Sequence, residues 1–555
     1  MKKKFIFVFL MLALLPIFAS CTYINTLLNL SKRQTYPKMP ITVNYYVDDE
    51  LYKSEKTEKR DDFKYPDNPS KDGLNFGGWT YYESYQTLEP NDFLFDETES
   101  IDLYAYFSKG THFSDNLSYN GPEISKGCLP SLGSPKVLVV PVNLGGEKTN
   151  SMLSNINEAF NGTAESTGYE SVKSFYEKSS MGRLNLTFDI FDGWFTPSKN
   201  ASYYENYDPT KDSYYESGAG LILHEFLEKY DSMYDFSDYD YNNDGYIDSV
   251  WMVYNVKPSY SSSNTFYWAY VTTTLNSTKK YDNKLAKYYG FASYYFIKEK
   301  ELEVEQRRKL ELYDMSDIDI DAHTYIHETG HLLGLDDYYD TDTSRGKNSG
   351  GLYTAGMMDC NRGDLNSIDK VLLGWADPYV VYSNSEKTVT IDAFSSTNDV
   401  IMLAKTKPTS IYGEYYLIEL YNSEGLVASD HAIEVPTVSA RREAQYKSYE
   451  KYGLRILHVN ASLTYEYQGK KYSYPIEFAY NNSTTNTLFV DTVLNNNYST
   501  EYYSDVKKTV LNLYGLYNEV KDYNITYNVT KTTTFNLKFR INQISTTSAN
   551  ITFDI

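Results

Sequence analysis

The chain has 555 residues and a formal net charge of −22 at neutral pH. At about 100 to 200 residues per domain, that length calls for three or so folded units. The acidic balance, with no long Lys/Arg run, argues against nucleic acid or an anionic membrane surface as the main partner, and three cysteines are too few for a disulfide framework.

Residues 1–20 read as an export signal. Lys2, Lys3 and Lys4 precede an apolar run over 5–19 that is too short to span a bilayer comfortably. Ala19 and Ser20 directly before Cys21 resemble a bacterial lipoprotein signal. The resemblance implies that Cys21 is acylated and becomes the mature N-terminus, so that a lipid anchor carries the protein to the membrane; a plain secretory signal is the alternative. Both place the mature chain outside the cytoplasm, at the cell surface or secreted. No later stretch is apolar enough to cross a membrane, and residues 21–40 read as a polar tether.

The segment ITVNYYVDDELYKSE (41–55) alternates apolar and polar residues and predicts a half-buried strand. The stretches PDNPSKDGLNFGGWT (66–80) and IDLYAYFS (101–108) resemble the internalin-type B-repeat through Pro66, Pro69, Gly73, Phe76, Gly78, Trp79, Leu103 and Ala105. This implies a small β-module over 41–108, cored by Phe76 and Trp79 and suited to adhesion or spacing.

From residue 109 the texture becomes α/β. KVLVVPVNL (136–144) predicts a buried strand, ESVKSFYEKSS (170–180) a helix, GRLNLTFDIF (182–191) a strand, GLILHEFLEKYD (220–231) a helix and SVWMVYNV (249–256) a strand. A charged helix is expected near 297–313. Beyond about 385, short alternating segments rich in Thr, Tyr, Val and Asn predict an all-β part over 386–555.

Within 109–385 the segment DAHTYIHETGHLLGLDDYYD (321–340) carries the chemistry. On a helix His327 and His331 are four residues apart and share a face, so both imidazoles can reach one Zn²⁺, with Glu328 beside them as general base. Gly334 can end the helix and turn the chain, and Asp337 stands where a third ligand falls in the pattern HExxHxxGxx. Asp336 and Asp340 are the alternatives for that ligand. His323 reads as a supporting residue one turn before His327, and His224 as structural. Downstream, GGLYTAGMMDC (350–360) sets Met358 in a glycine-flexed turn, where metzincin-like proteases carry a methionine beneath the metal; ordinary core packing is the plainer account.

A second constellation lies upstream. Asp240, Asn242, Asp244 and Asp248 place oxygen donors at positions 1, 3, 5 and 9 of an EF-hand-like loop, with Gly245 at position 6 and the Tyr246 carbonyl at position 7. These hard donors suit a structural Ca²⁺. Position 12 is Trp251, so a last ligand has to come from elsewhere, with Asp235 and Asp238 as candidates. Cys128 and Cys360 are either free thiols or a pair, and a zinc-masking role for Cys128 is the least favoured reading.

Taken together, KVLVVPVNL, SVKSFYEKSSMGRLNLTFDIFDGWF (171–195), DYDYNNDGYIDSVWMVY (238–254), HETGHLLGLDDYYD (327–340), SIDKVLLGW (367–375), YYLIEL (415–420), GLRILHVN (453–460) and the terminal FRINQIS and ITFDI make the chain resemble the immune inhibitor A type of bacterial metallopeptidase over about 130–555. Two departures are Leu420 and Tyr421, where the family often has Asn-Arg, and Cys360, which leaves no tyrosine two residues after Met358. The resemblance implies an α+β zincin/metzincin-like catalytic domain over 109–385, a β-rich C-terminal domain over 386–555, and an extracellular zinc endopeptidase acting on protein or peptide substrates. The rival expectations are a surface adhesin built on an inactive protease fold and a zinc hydrolase of non-protein substrates.

Overall fold

In the computed structural model the described residues run from 40 to 555, apart from 81–99, 115–126, 211–216, 259–264, 299–319, 340–355, 431–451, 474–481, 526–535 and shorter stretches. The predicted signal with Cys21, Gly73, Asp340, Cys360 and most of the charged segment at 297–313 lie outside them. The chain forms two compact units, residues 1–67 with 88–103 and residues 68–87 with 104–555. Among the described residues no helix is long and apolar enough to cross a membrane.

In the first unit the single strand expected over 41–55 is instead a hairpin of β1 (Ile41–Val47) and β2 (Glu50–Thr57), paired antiparallel from Ile41↔Thr57 to Val47↔Glu50. The cause is Asp48, whose φ of 48° reverses the chain where alternation alone gave no break. Ile41, Val43 and Tyr45 alternate inward with Ile101 and Leu103 as the other buried apolar side chains of this unit. In the second unit β3 (Asn75–Thr80) pairs antiparallel with the end of β4 (Ser100–Ser108), and Trp79 is buried.

The second unit then alternates strands and helices. In chain order come β5 (Lys136–Val142), α1 (Asn150–Asn161), α2 (Val172–Ser179), β6 (Thr187–Ile190), α3 (Gly218–Tyr230), β7 (Tyr246–Ile247), β8 (Val250–Tyr254), β9 (Tyr270–Thr273), β10 (Lys280–Tyr281), β11 (Lys284–Ala286), β12 (Tyr288–Ser293), α4 (His323–Leu332) and α5 (Ser367–Leu372). Five strands make a sheet in the order β6-β5-β8-β12-β9, parallel throughout except for the antiparallel edge strand β9. Both faces of this sheet are covered, which is why its central strands read as unbroken apolar runs. Val137, Val139, Trp251 and Val253 point into one core with α1, α2 and α4, while Leu138, Val140, Val250, Met252 and Tyr254 point into the other with α3. The helix α1, not anticipated from the sequence, is capped by Thr149 and lays Met152, Ile156, Ala159 and Phe160 on the first core.

The C-terminal region is β-rich. β13 (Tyr379–Val381), β15 (Ile401–Leu403), β16 (Glu414–Tyr421), β17 (Gly453–Asn460) and β20 (Val490–Thr492) form one sheet in that order. β14 (Thr388–Asp392), β25 (Ser548–Phe553), β24 (Leu537–Ile544) and β23 (Asp522–Ile525) form another. The hairpins β18–β19 (Thr464–Tyr467, Lys470–Ser473) and β21–β22 (Thr500–Tyr503, Lys508–Leu511) complete it. The expected terminal pairing is present as β24–β25. The apolar cluster holding α4 continues through Val380, Met402, Leu417, Leu457 and Val490, so one core runs past residue 385. Glu419, where the sequence departs from the family pattern just downstream, accepts from Arg455 Nε at 2.7 Å and from the Ser367 amide at 3.1 Å, tying β16 to β17 and to the start of α5.

Candidate metal centre

The helix α4 is held from several sides before any ligand is considered. Tyr176 on α2 donates to Ile326 O at 2.7 Å, Trp251 on β8 donates its indole N–H to Thr329 Oγ1 at 3.2 Å, and Tyr325 donates to Ser293 O on β12 at 2.7 Å. Leu129 N reaches Leu332 O at its C-terminal end. The helix closes with a Schellman turn: Leu335 N donates to Gly330 O, Gly334 N donates to His331 O, and Gly334 sits at φ +95°. That left-handed residue turns the chain so that Asp337 comes back over the face carrying the two histidines.

His327, His331 and Asp337 are thereby brought together, with one ligand atom from each lying within 4.8 Å of the others. Asp337 Oδ1 is 3.3 Å from His327 Nε2 and 3.4 Å from His331 Nε2. The other ring nitrogens fix the tautomers. His327 Nδ1 lies 2.8 Å from Met357 O and His331 Nδ1 lies 2.8 Å from Leu335 O, and a carbonyl can only accept. Both Nδ1 atoms therefore carry hydrogen, and in the neutral rings both Nε2 lone pairs face a carboxylate oxygen. Three acceptors converging on one point require a cation between them. Asp337 Oδ1 is buried with no hydrogen-bond partner, while Oδ2 accepts from Tyr339 at 2.9 Å.

The donor set fits zinc: two imidazoles and a carboxylate, each imidazole oriented by a backbone carbonyl. Donors about 2.0–2.2 Å from a tetrahedral centre lie roughly 3.3–3.5 Å apart, which matches the observed spacing to Asp337. Among the protein's own groups the charge balance follows. Burial opposes protonation of both imidazoles, but Asp337 outweighs it, pushing His331 up to about 10 and His327 in the same direction. Burial opposes ionisation of Asp337, yet His331 and His327 hold it well below the usual carboxylate range. Glu328 is buried on the same helix, and that burial raises its carboxyl against the opposing pull of His331 and His327.

Met358 is fully buried beneath this helix, its sulfur so close to Gly330 that a Cβ there would meet it at 2.5 Å. Its backbone O accepts from Tyr338 N, and the neighbouring Met357 O accepts from His327. His323, the first residue of α4, is not one of the three converging groups, and Asp336 is not either. His224 is buried at hydrogen-bond distance, 2.9 Å, from the Tyr281 hydroxyl on the far side of the sheet. Cys128 is a free, buried thiol pushed up to about 12 by burial, a poor setting for a zinc-masking thiolate. Sequence reasoning missed Tyr339, Thr329 and Asn482 as supports; only Tyr339, two residues from Asp337, carried a local signal.

The acidic loop also gathers. Ligand oxygens of Asp240, Asp244 and Asp248 lie within 4.8 Å of one another, and Gly245 adopts φ +91° as position 6 of such a loop demands. Asp240 accepts from the amides of Asp244 and Gly245, Asn242 from Asp244 N, and Asp248 from Tyr241 N, while Asp248 Oδ1 is buried without a hydrogen bond. Tyr246 opens β7 and donates its amide to Asp244. Neither suggested completing ligand joins: Asp235 caps the turn at Phe236–Tyr239, and Asp238 lies exposed near Lys136. The neighbour that does arrive is Lys284 from β11, its ammonium 2.5 Å from Asp240 Oδ2.

No family model matches the chain, and no curated protein does. Among solved structures, wild-type OgpA from Akkermansia muciniphila matches at 11% identity with a TM-score of 0.24, over 62% of this chain and 94% of that one. Likeness that low carries no argument for fold or activity.

Proposed function

We propose that the protein is an exported zinc-dependent endopeptidase with a zincin/metzincin-like catalytic fold of the immune inhibitor A type, tethered through Cys21. The observation that carries the reading is the convergence of His327 Nε2, His331 Nε2 and Asp337 Oδ1 with both Nδ1 hydrogens already committed to carbonyls. Zinc held by these three residues supplies Lewis acidity, lowering the pKa of a water toward neutrality and offsetting developing oxyanion charge. Glu328 takes the proton of the attacking water and delivers it to the departing amine nitrogen. Its raised pKa suits a group that must both accept and return a proton. Edge strand β9 packs beside α4 and is the last strand of its sheet among the described residues. An extended peptide can add to such an edge, which favours a polypeptide substrate. Asp240, Asp244 and Asp248 hold a structural Ca²⁺ in this reading, with Lys284 as resident counter-charge.

The test is Glu328→Gln in pure protein. Zinc content is expected to stay at the wild-type level while peptide-library cleavage falls by about 10²–10⁴-fold. Retained cleavage rejects Glu328 as the base, and full activity after confirmed zinc removal rejects the mechanism.

A further inference from the structure

The ligand segment Asp337–Tyr339 is too short to hold its own shape, and its polar groups are satisfied from three different places. Tyr338 N donates to Met358 O at 3.1 Å, and Tyr339 donates its hydroxyl to Asp337 Oδ2 at 2.9 Å. The remaining bonds come from the C-terminal region. Asn482 donates to Tyr338 O at 2.9 Å, and Ser483 N approaches Asp337 O at 3.4 Å.

Asn482 is itself fixed. Its side chain is buried, donates a second bond to Val490 O at 2.7 Å and accepts from Val490 N at 3.2 Å. Val490 opens β20, which pairs with β17 through Val459↔Val490, so the clamp is anchored in the C-terminal sheet. The amide thus bridges a strand of that sheet to the carbonyl directly following the metal ligand. An aspartate has no hydrogen to offer either carbonyl, and an alanine leaves both buried acceptors short of a partner.

We infer that Asn482 is a positioning residue for Asp337, and that the β-rich C-terminal region is thereby a working part of the metal centre. The inference rests on the zinc reading above. It locates part of the support for the site about 145 residues beyond the ligand itself, in a segment with no metal-binding residues of its own. Supports of this kind are worth roughly 10- to 100-fold in metal affinity.

The experiment titrates zinc into the full-length chain against a chromophoric chelator, for wild type, Asn482→Ala and Asn482→Asp, with the cobalt(II) absorption spectrum as a reporter of ligand geometry. Both variants are expected to bind zinc roughly 10- to 100-fold more weakly with an altered cobalt spectrum, while near-UV circular dichroism of the metal-free protein stays unchanged. Affinity within twofold of wild type and an unaltered spectrum overturn the inference. Because either variant can fail to fold, amide exchange of wild type is measured with and without zinc. Zinc is expected to slow exchange at Ser483 and Val490, and unchanged exchange there overturns the inference. A wild type that binds no zinc overturns the metal reading itself, an outcome separate from any result on Asn482.

Discussion

The His/His/Asp group on α4 and the Asp/Asp/Asp group before β8 each bring three potential ligand atoms within 4.8 Å, yet they balance their charge differently. At the first, every outer hydrogen of the imidazoles is spent on a carbonyl, and the groups facing Asp337 Oδ1 are two ring nitrogens. At the second, backbone amides and the Lys284 ammonium already surround the carboxylates. The difference teaches that proximity of ligand atoms is a weak criterion by itself. What matters is how much of the negative or lone-pair density the fold has left unanswered. By that measure the histidine site needs a cation to be satisfied, whereas the acidic loop is already partly neutralised and gains less from one.

The largest way to break the comparison is to remove the internal cation. Lys284→Met leaves Asp240, fully buried at its side chain, without its ion-pair partner. Stripping one member from such a pair costs about 3–5 kcal/mol, so thermal unfolding in chelator should show a marked loss, and Ca²⁺ should recover more stability in the variant than in wild type. Equal Ca²⁺ response in both would mean that Lys284 and a metal do not compete for the same carboxylates. At the histidine site the corresponding change is Asp337→Ala. Zinc affinity is expected to fall by more than about 100-fold, exceeding the effect of any supporting residue; equilibrium dialysis reads it directly.

Acidity separates the two sites on a smaller scale. With His331 pushed up to about 10, zinc must displace a proton from it across the neutral range. Affinity should therefore rise with pH by about tenfold per unit for each proton released, levelling off only above the folded-state value. Calorimetry in buffers of different ionisation enthalpy counts those protons; a count of zero would contradict the assigned charge balance.

The sequence disclosed the histidine site far better than its surroundings. Helical spacing alone places His327 and His331 on one face, and Gly334 announces the turn that returns Asp337. The parallel strands were legible because burial on both faces makes them continuously apolar, as at residues 136–142. By contrast, the hairpin at 41–57 hid behind uniform alternation, since one aspartate with positive φ breaks no pattern. Lys284 and Asn482 were invisible because each acts across a long loop of chain, 44 residues from Asp240 and 144 from Tyr338. Nothing local marks a lysine or asparagine for such a partner.

The smallest expected effect contrasts two glycines, one at each site. Gly245 has open space around the position of a Cβ but sits at φ +91°, so Gly245→Ala is resisted by backbone conformation alone, at about 1–2 kcal/mol. Gly330 has ordinary helical geometry but faces Met358 Sδ at 2.5 Å and the Tyr176 hydroxyl at 3.3 Å from the added Cβ. Gly330→Ala therefore loses about 2 kcal/mol to overpacking and regains up to about 1 kcal/mol in helix propensity, for a net loss near 1 kcal/mol. The rescue tells the two causes apart. Shortening the obstruction with Met358→Ala should let alanine be accepted at 330, measured as a positive coupling in a double-mutant cycle, whereas no neighbouring truncation should relieve Gly245→Ala. Additive losses at 330 and 358 would mean that the methionine does not set the spacing beneath the metal helix.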